Sequence, residues 1–370
     1  MEIIIDATFI NKHNCHKSIP IYLLRFISSI PEDKKKDFKI LAYSTERQIF
    51  DKYVGIQKIY LGYSLILRIL KIRWYYKRYL YSKYITKDNF DVIFIVHELD
   101  NQILFQTSNS KVIVIHDLKM LKDGSKSHYD YFSFYDRFIK TADKVIAISE
   151  YTKKDICNNF HTDESKIAVV HNSICLPKGS IRPSALNGID SNFILYVNTL
   201  QKYKNVFTLL KAYNGVKNQI SQKLVLVGSN TEYWQKEMIP YIKENGFNDR
   251  VIRLENISDE NLKWLYEHAD LFVTTSLHEG FGYTPIEAAI CKCPVVSTMC
   301  EALPETTQGL LNYYDPPLDD EALANVMLKT LAKSKEDLTA ISKKFSEDYS
   351  REKQFEKIYD VLVSSTNNGI

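Results

Sequence analysis

Short apolar runs alternate along this chain with longer segments of helical period. Apolar, largely β-branched runs predict strands at Glu2–Ile5, Phe38–Tyr43, Val92–Val96, Val112–Ile115, Lys144–Ile148 and Ile167–Val170. The second half repeats the pattern at Phe193–Val197, Lys223–Val227, Val251–Leu254, Leu271–Thr274 and Pro294–Ser297, with helical spacing over Phe207–Ile220 and Glu232–Asn245. Alternation of this kind predicts α/β units with parallel sheets. The stretch Cys175–Asp190 (CLPKGSIRPSALNGID) breaks the pattern with Pro, Gly and Ser near midchain and reads as a linker. Two similar domains are therefore expected, 1–178 and 186–345, with a helical segment at 346–364 packing back on the first. Paired sheets of this type put their carboxyl edges on a cleft, where ligands bind.

Composition adds bounds. The 370 residues are 45% apolar and 25% charged, enough for two cores and unlike a disordered chain. No apolar run reaches the ~18–20 residues of a membrane span. The opening MEIIIDATFI has no basic n-region, so no signal peptide is expected. Six cysteines without a CxxC pair suit a reduced, cytoplasmic setting. The net charge of +3 hides a gradient, +9 over residues 1–185 and −6 over the remainder. Much of it lies in Ser64–Lys87, where seven bases (Arg68, Lys71, Arg73, Lys77, Arg78, Lys83, Lys87) meet no acid and flank Trp74 and several tyrosines. Such a helix either covers the first domain with its bases snorkelling or lies on an anionic membrane. The second reading makes residues 64–87 a membrane partner and the protein peripheral on the inner face of the plasma membrane. No nucleic-acid module accompanies the basic stretch, so no nucleic acid is expected.

The densest chemistry lies in Ser276–Ser297 (SLHEGFGYTPIEAAICKCPVVS). A strand ends at Thr274, Glu279-Gly280-Phe281-Gly282 follows, and a helix is expected from about Thr284-Pro285, since Pro suits a first helical position. Backbone N–H groups and the helix dipole there make an anion site. The carboxylates Glu279 and Glu287 would repel a phosphate, which points them to hydroxyls beside it. Glu287 also has a plainer reading, because Thr284-Pro285-Ile286-Glu287 spells a capping box. His116-Asp117 follows a strand end, where α/β sites form, although Asp117 also suits a helix cap; His97-Glu98 ends the preceding strand similarly. The other histidines show no metal spacing and no acidic pair adjoins a strand end, so no metal is expected. Asp123-Gly124-Ser125-Lys126 lacks the spaced glycine of a P-loop.

The Ser276–Ser297 segment resembles the E-x7-E signature of retaining glycosyltransferases of family 4. Phe193–Asn205 (FILYVNTLQKYKN) is similar to that family's strand, turn and phosphate-binding lysine. Ala142–Asp155 and Lys166–Ile174 resemble the segments closing its first domain, and Leu303-Pro304-Glu305 and Tyr314-Asp315-Pro316 the stretch after the signature. The likeness covers about residues 90–345 and is nearest to the polysaccharide mannosyltransferase-like branch. It implies a GT-B fold, with two Rossmann-like parallel-sheet domains facing a central cleft. It also implies site roles. Glu279 binds donor-sugar hydroxyls, and Lys204 neutralises the leaving diphosphate. His116 lies near the anomeric carbon and the C6 hydroxyl. Glu287 holds the ribose, Gly280, Phe281, Gly282 and Tyr283 cradle the diphosphate, and Thr199, Asn256 and Ile257 complete the donor site.

Departures accompany the match. The family's turn Gly is Asn198, and its Arg positions are Thr199 and Tyr203, with Lys202 as a substitute cation. Lys292 stands where a small residue is usual, and Lys17–Tyr22 where glycines are. The implied function is transfer of a sugar, with retention, from a UDP- or GDP-linked donor to a glycan or lipid-linked polysaccharide acceptor, without a cofactor. The alternative is a catalytically inactive GT-B scaffold binding nucleotide sugar or membrane.

Overall fold

The computed structural model describes residues 1–62, 90–97, 108–122, 128–186, 192–333 and 338–366. Ser64–Lys87, Glu98, Asp123–Lys126 and the end of the expected linker lie outside the described residues. The chain forms two compact units, residues 1–173 with the chain from 351 onward, and 174–350.

The first unit holds a seven-stranded sheet of β1 (Ile3–Asp6), β2 (Phe38–Tyr43), β3 (Gln57–Leu61), β4 (Val92–Ile95), β5 (Ser110–Ile115), β6 (Lys144–Ala147) and β7 (Ile167–Val169). Its order is β3-β2-β1-β4-β5-β6-β7, with every pair parallel. β1 and β4 are buried along their whole length, as expected of strands covered on both faces. One face packs Ile4, Ile93 and Ile113 against Tyr135 and Phe138 of the His128–Thr141 helix. On this unit also lies the last described helix, Arg351–Thr366. Its Phe355 ring sits 5.9 Å from Phe26 and 6.2 Å from Phe38, and Ser365 O accepts from Ser110 Oγ at 2.9 Å.

The second unit holds β8 (Phe193–Val197), β9 (Lys223–Val227), β10 (Val251–Leu254), β11 (Leu271–Thr274), β12 (Val295–Thr298) and β13 (Asn312–Tyr314). Their order is β10-β9-β8-β11-β12-β13, again all parallel. The Val206–Val216 and Asp320–Ala332 helices bring Leu209, Tyr213, Leu323 and Met327 onto Ile194, Leu226 and Val273. In both sheets the strand order reverses at one point, between β1 and β4 and between β8 and β11, where crevices open at the carboxyl edge.

Two strands escaped the sequence pattern. β3 is an edge strand whose residues are mostly half-exposed, so its pattern is diluted by Gln57 and Lys58. β13 has only three residues. The described part of the stretch expected as a linker is irregular and docked. Ile181 N–H donates to Glu260 O at 3.1 Å, Asn261 Nδ2 to Ile181 O at 2.8 Å and Lys263 Nζ to Pro177 O at 3.1 Å. Pro177 and Ile181 thus lie along the Asp259–His268 helix of the second unit. Among the described residues no helix is long and apolar enough to cross a membrane.

Because Phe355 is buried among aromatic rings, Phe355→Ala should cost about 3–5 kcal/mol. Hydrogen exchange should show the loss in β4 and β5 while β8 and β11 keep their protection. Equal loss in both sheets would contradict the two-unit division.

Candidate functional site

At the β8–β11 reversal the chain builds a polar centre from two strand ends. Leaving β8, Asn198 N–H bonds Val227 O at 3.1 Å. A Cβ on Gly228 would lie 2.4 Å from Asn198 O, so only glycine allows these two turns to approach. A 3-10 turn at Lys202–Lys204 then leads through Asn205, in the left-handed region at φ 52°, into the Val206–Val216 helix. Asn205 is held by its Nδ2 donating to Pro317 O at 2.9 Å and its Oδ1 accepting from Thr208 Oγ1 at 2.8 Å. The Lys204 carbonyl accepts from Thr275 Oγ1 at 3.0 Å and Tyr196 OH at 3.2 Å, and Leu277 N–H donates to Tyr203 O at 3.0 Å. Burial, then Glu279, holds the Tyr196 phenol well above its ordinary pKa, so it remains a donor.

The result is a well-buried ion pair. Lys204 Nζ lies 2.6 Å from Glu279 Oε1, their side chains 11% and 17% exposed, and 3.3 Å from His278 O. Asn198 Nδ2 donates to the same Glu279 oxygen at 3.2 Å and to Ser276 Oγ at 3.4 Å. Thr199 and Lys202 are exposed beside this pair, and Thr199 Oγ1 is 3.4 Å from Tyr203 OH.

The signature helix runs Tyr283–Ile290, one residue earlier than expected. Its N-cap is Gly282 at φ 85°, where a Cβ would meet Leu303 Cδ2 at 2.4 Å, and which has no side chain to cap the first turn. The capping-box reading of Thr284 and Glu287 is therefore corrected. Glu287 lies too deep in the helix to cap it and instead accepts from Tyr266 OH at 3.0 Å. Phe281 is buried, its carbonyl fixed by Thr306 Oγ1 at 2.6 Å. Gly280 links that residue to Glu279. Asn256, exposed at φ 53°, and half-buried Ile257 follow β10, which β9 separates from β8.

In the first unit, His116 and His97 follow β5 and β4, beside the β1–β4 reversal. His116 Nε2 is 3.2 Å from Val96 O, a group that only accepts. Nε2 therefore carries the proton, and the neutral ring presents Nδ1 as an acceptor. Tyr22 meets the His116 ring edge-on at 4.9 Å, and His97 stacks on Phe9 at 4.7 Å. The Lys17–Tyr22 stretch, where glycines were expected, is the start of the Ser18–Ser29 helix. Asp117 Oδ1 accepts from Lys119 N–H at 3.0 Å. Among the described residues no group of three or more His, Cys, Asp or Glu could hold a metal ion.

Sequence reasoning missed Asn198 as a ligand of Glu279, the Phe9 and Tyr22 supports, and Glu301, which bonds both His278 and the Glu279 N–H. For Glu301 the only signal was a carboxylate just before Leu303-Pro304-Glu305.

Burial is the main cause that pushes the His116 pKa down to about 4, with His97 adding to it and the Val96 bond opposing. Above the unfolded value of about 6.5 this costs nothing. As pH falls from 6.5 toward 4 the unfolded chain takes up a proton that the folded ring refuses, and stability drops. Between pH 7.5 and 5 the loss should be about 2 kcal/mol, read as the wild-type change in urea midpoint minus that of His116→Gln. Identical pH dependence in the two proteins would remove the neutral imidazole from the account.

Two family models match in succession, Glycosyltransferase Family 4 over residues 33–176 and Glycosyl transferases group 1 over residues 178–347. The O-antigen chain mannosyltransferase B of Escherichia coli is 28% identical over 205 residues, 52% of each chain. The O-antigen chain mannosyltransferase RfbU of Salmonella typhimurium is 26% identical over 309 residues, 81% of this chain and 83% of that one. The chain thus aligns with about half the length of the first relative and most of the second. Among solved structures, Anabaena HepE in complex with UDP superposes with a TM-score of 0.72 at 18% identity, covering 98% of this chain and all of that one. The two parallel sheets are those of the GT-B fold, and residues 33–176 and 178–347 are in succession a Glycosyltransferase Family 4 domain and a Glycosyl transferases group 1 domain.

Proposed function

We propose that this chain transfers a sugar, with retention of anomeric configuration, from a nucleotide-diphosphate sugar to a saccharide of a lipid-linked surface polysaccharide. The observation that carries the reading is the Lys204–Glu279 pair at the β8–β11 reversal, followed in sequence by the start of the Tyr283–Ile290 helix at Gly282. An ammonium has three N–H groups. Two point to Glu279 Oε1 and His278 O, and the third is assigned to a diphosphate oxygen. The N–H groups at the helix start, Gly280 to Tyr283, are assigned to the same diphosphate, aided by the helix dipole. Glu279 takes donor hydroxyls through the carboxylate oxygen that Lys204 leaves, and Glu287 the ribose. Thr199 and Asn256-Ile257 are assigned to the diphosphate edge and the base. His116 Nδ1 accepts from a sugar hydroxyl.

In the reaction the bond from the anomeric carbon to the diphosphate oxygen breaks, and its electron pair stays on that oxygen. The acceptor oxygen bonds to the same face of the carbon, and its proton passes to the departing phosphate oxygen. Charge builds on the diphosphate in the transition state, where a preorganised ammonium is most effective. The names of the E. coli and Salmonella relatives support an O-antigen type of product, and HepE's bound UDP supports a nucleotide donor.

Purified protein should release nucleoside diphosphate from one of a panel of UDP-, GDP-, dTDP- and ADP-sugars, and the matching diphosphate should raise its melting temperature. A ligand at 100 times its Kd stabilises by about 2.7 kcal/mol. Lys204→Gln, whose amide can still bond Glu279, should lower kcat about 100–1,000-fold. A normal rate removes Lys204 from the mechanism. Donor binding without turnover by any acceptor would favour the scaffold alternative, and NMR of the product's anomeric proton tests retention.

A further inference from the structure

Glu301 occupies the turn that leaves β12, with its backbone in the left-handed region at φ 50°. Glycine adopts that conformation freely and a glutamate does not, so a side chain here needs a reason. The side chain is only 14% exposed and its two carboxylate oxygens do separate work. Oε1 lies 3.0 Å from His278 Nδ1, and Oε2 accepts from the Glu279 backbone N–H at 2.8 Å. Ala302 N–H returns a bond to Glu279 O at 3.3 Å. The two residues gripped in this way are the two that meet Lys204, His278 through its carbonyl and Glu279 through its carboxylate.

We propose that Glu301 is a positioning residue for donor-sugar transfer: it clamps His278 and Glu279 from behind so that the Glu279 carboxylate stays on Lys204. The inference deepens the transferase reading and rests on it. Glu301 is assigned no contact with the donor. A carboxylate beside Nδ1 can only accept, so the His278 ring carries a proton on Nδ1, which fixes the ring as part of the clamp. Displacing a reacting group by about 1 Å is enough to lower rate about 100-fold, so slack in this two-residue segment is felt directly at the ion pair.

The test is a three-variant series read by stability and by donor kinetics. Glu301→Gly relieves the left-handed backbone and removes the clamp. It should melt no lower than wild type, yet lose about 10–100-fold in kcat/KM for the nucleotide sugar. Glu301→Gln can still accept from the Glu279 N–H through its oxygen, and its amide can donate to His278 Nδ1 once the ring proton moves to Nε2. It should recover most of that loss although it carries no charge. Glu301→Asn tolerates the backbone but is one methylene shorter, so it should resemble the glycine variant, and it serves as the test if Glu301→Gly does not fold. The clamp is overturned if Glu301→Gly (or Glu301→Asn in its place) keeps kcat/KM within twofold of wild type, or if Glu301→Gln is as impaired as Glu301→Gly. Absence of turnover by the wild-type protein on every nucleotide sugar would instead refute the transferase reading.

Discussion

A salt bridge withdrawn from water is the interaction on which the second unit's carboxyl edge depends. Lys204 and Glu279 meet at 2.6 Å with little solvent on either side chain. Two charges taken out of water lose hydration that their attraction alone rarely restores, unless further hydrogen bonds satisfy the remaining groups. Those bonds are present here, from Asn198 Nδ2 to the carboxylate and from the ammonium to His278 O. The pair is thus a poor source of stability and a good source of placement. It holds the strand ends of β8 and β11 in one arrangement, and the Lys204 carbonyl, bonded by Thr275 and Tyr196, repeats the constraint on the backbone.

Each unit carries an imidazole with an assigned tautomer, and the assignments are opposite. In His116 the proton sits on Nε2, because Val96 O accepts it, and Nδ1 is left to accept. In His278 a proton sits on Nδ1, because Glu301 accepts it, and the side chain is 37% exposed. Neither nitrogen assignment needs a charged ring. Burial keeps His116 neutral across the physiological range, so its ring can accept a hydrogen bond and supplies no positive charge. That division leaves Lys204 and the helix start to meet the anionic leaving group in the reaction proposed.

Most of the fold was legible because buried parallel strands leave continuous apolar runs, and β1, β4, β8 and β11 are of that kind. β3 was not, since an edge strand with half-exposed residues has no such run. The segment carrying Glu279 was legible from its strand-loop-helix order and its glycines. Its detail was not. Thr284-Pro285-Ile286-Glu287 satisfied a local capping rule, but the helix start is set by Gly282 packing under Leu303, 21 residues on. The supports of His116 were equally hidden. Tyr22 reaches it from the first helix and Val96 from just past the neighbouring strand, and no spacing in the sequence records such a meeting.

Only 12 glycines serve the whole chain, so several left-handed positions fall to other residues. Among the described residues six non-glycines have positive φ, and they divide by location. His161, Lys292 and Gln308 lie at or just past helix C-terminal ends, where this conformation commonly closes a helix. Asn205, Asn256 and Glu301 instead lie on the loops leaving β8, β10 and β12, all at the carboxyl edge of one sheet. Two are asparagines, which tolerate the conformation, and the third is a glutamate, which does so less readily. Asn205 and Glu301 turn the cost to use through their side chains, one bonding Pro317 O and Thr208, the other the His278–Glu279 segment. Strain of this kind persists where the surroundings over-determine a conformation. Its concentration on the edge that carries Lys204 and Glu279 fits the binding role proposed for that edge of the second unit.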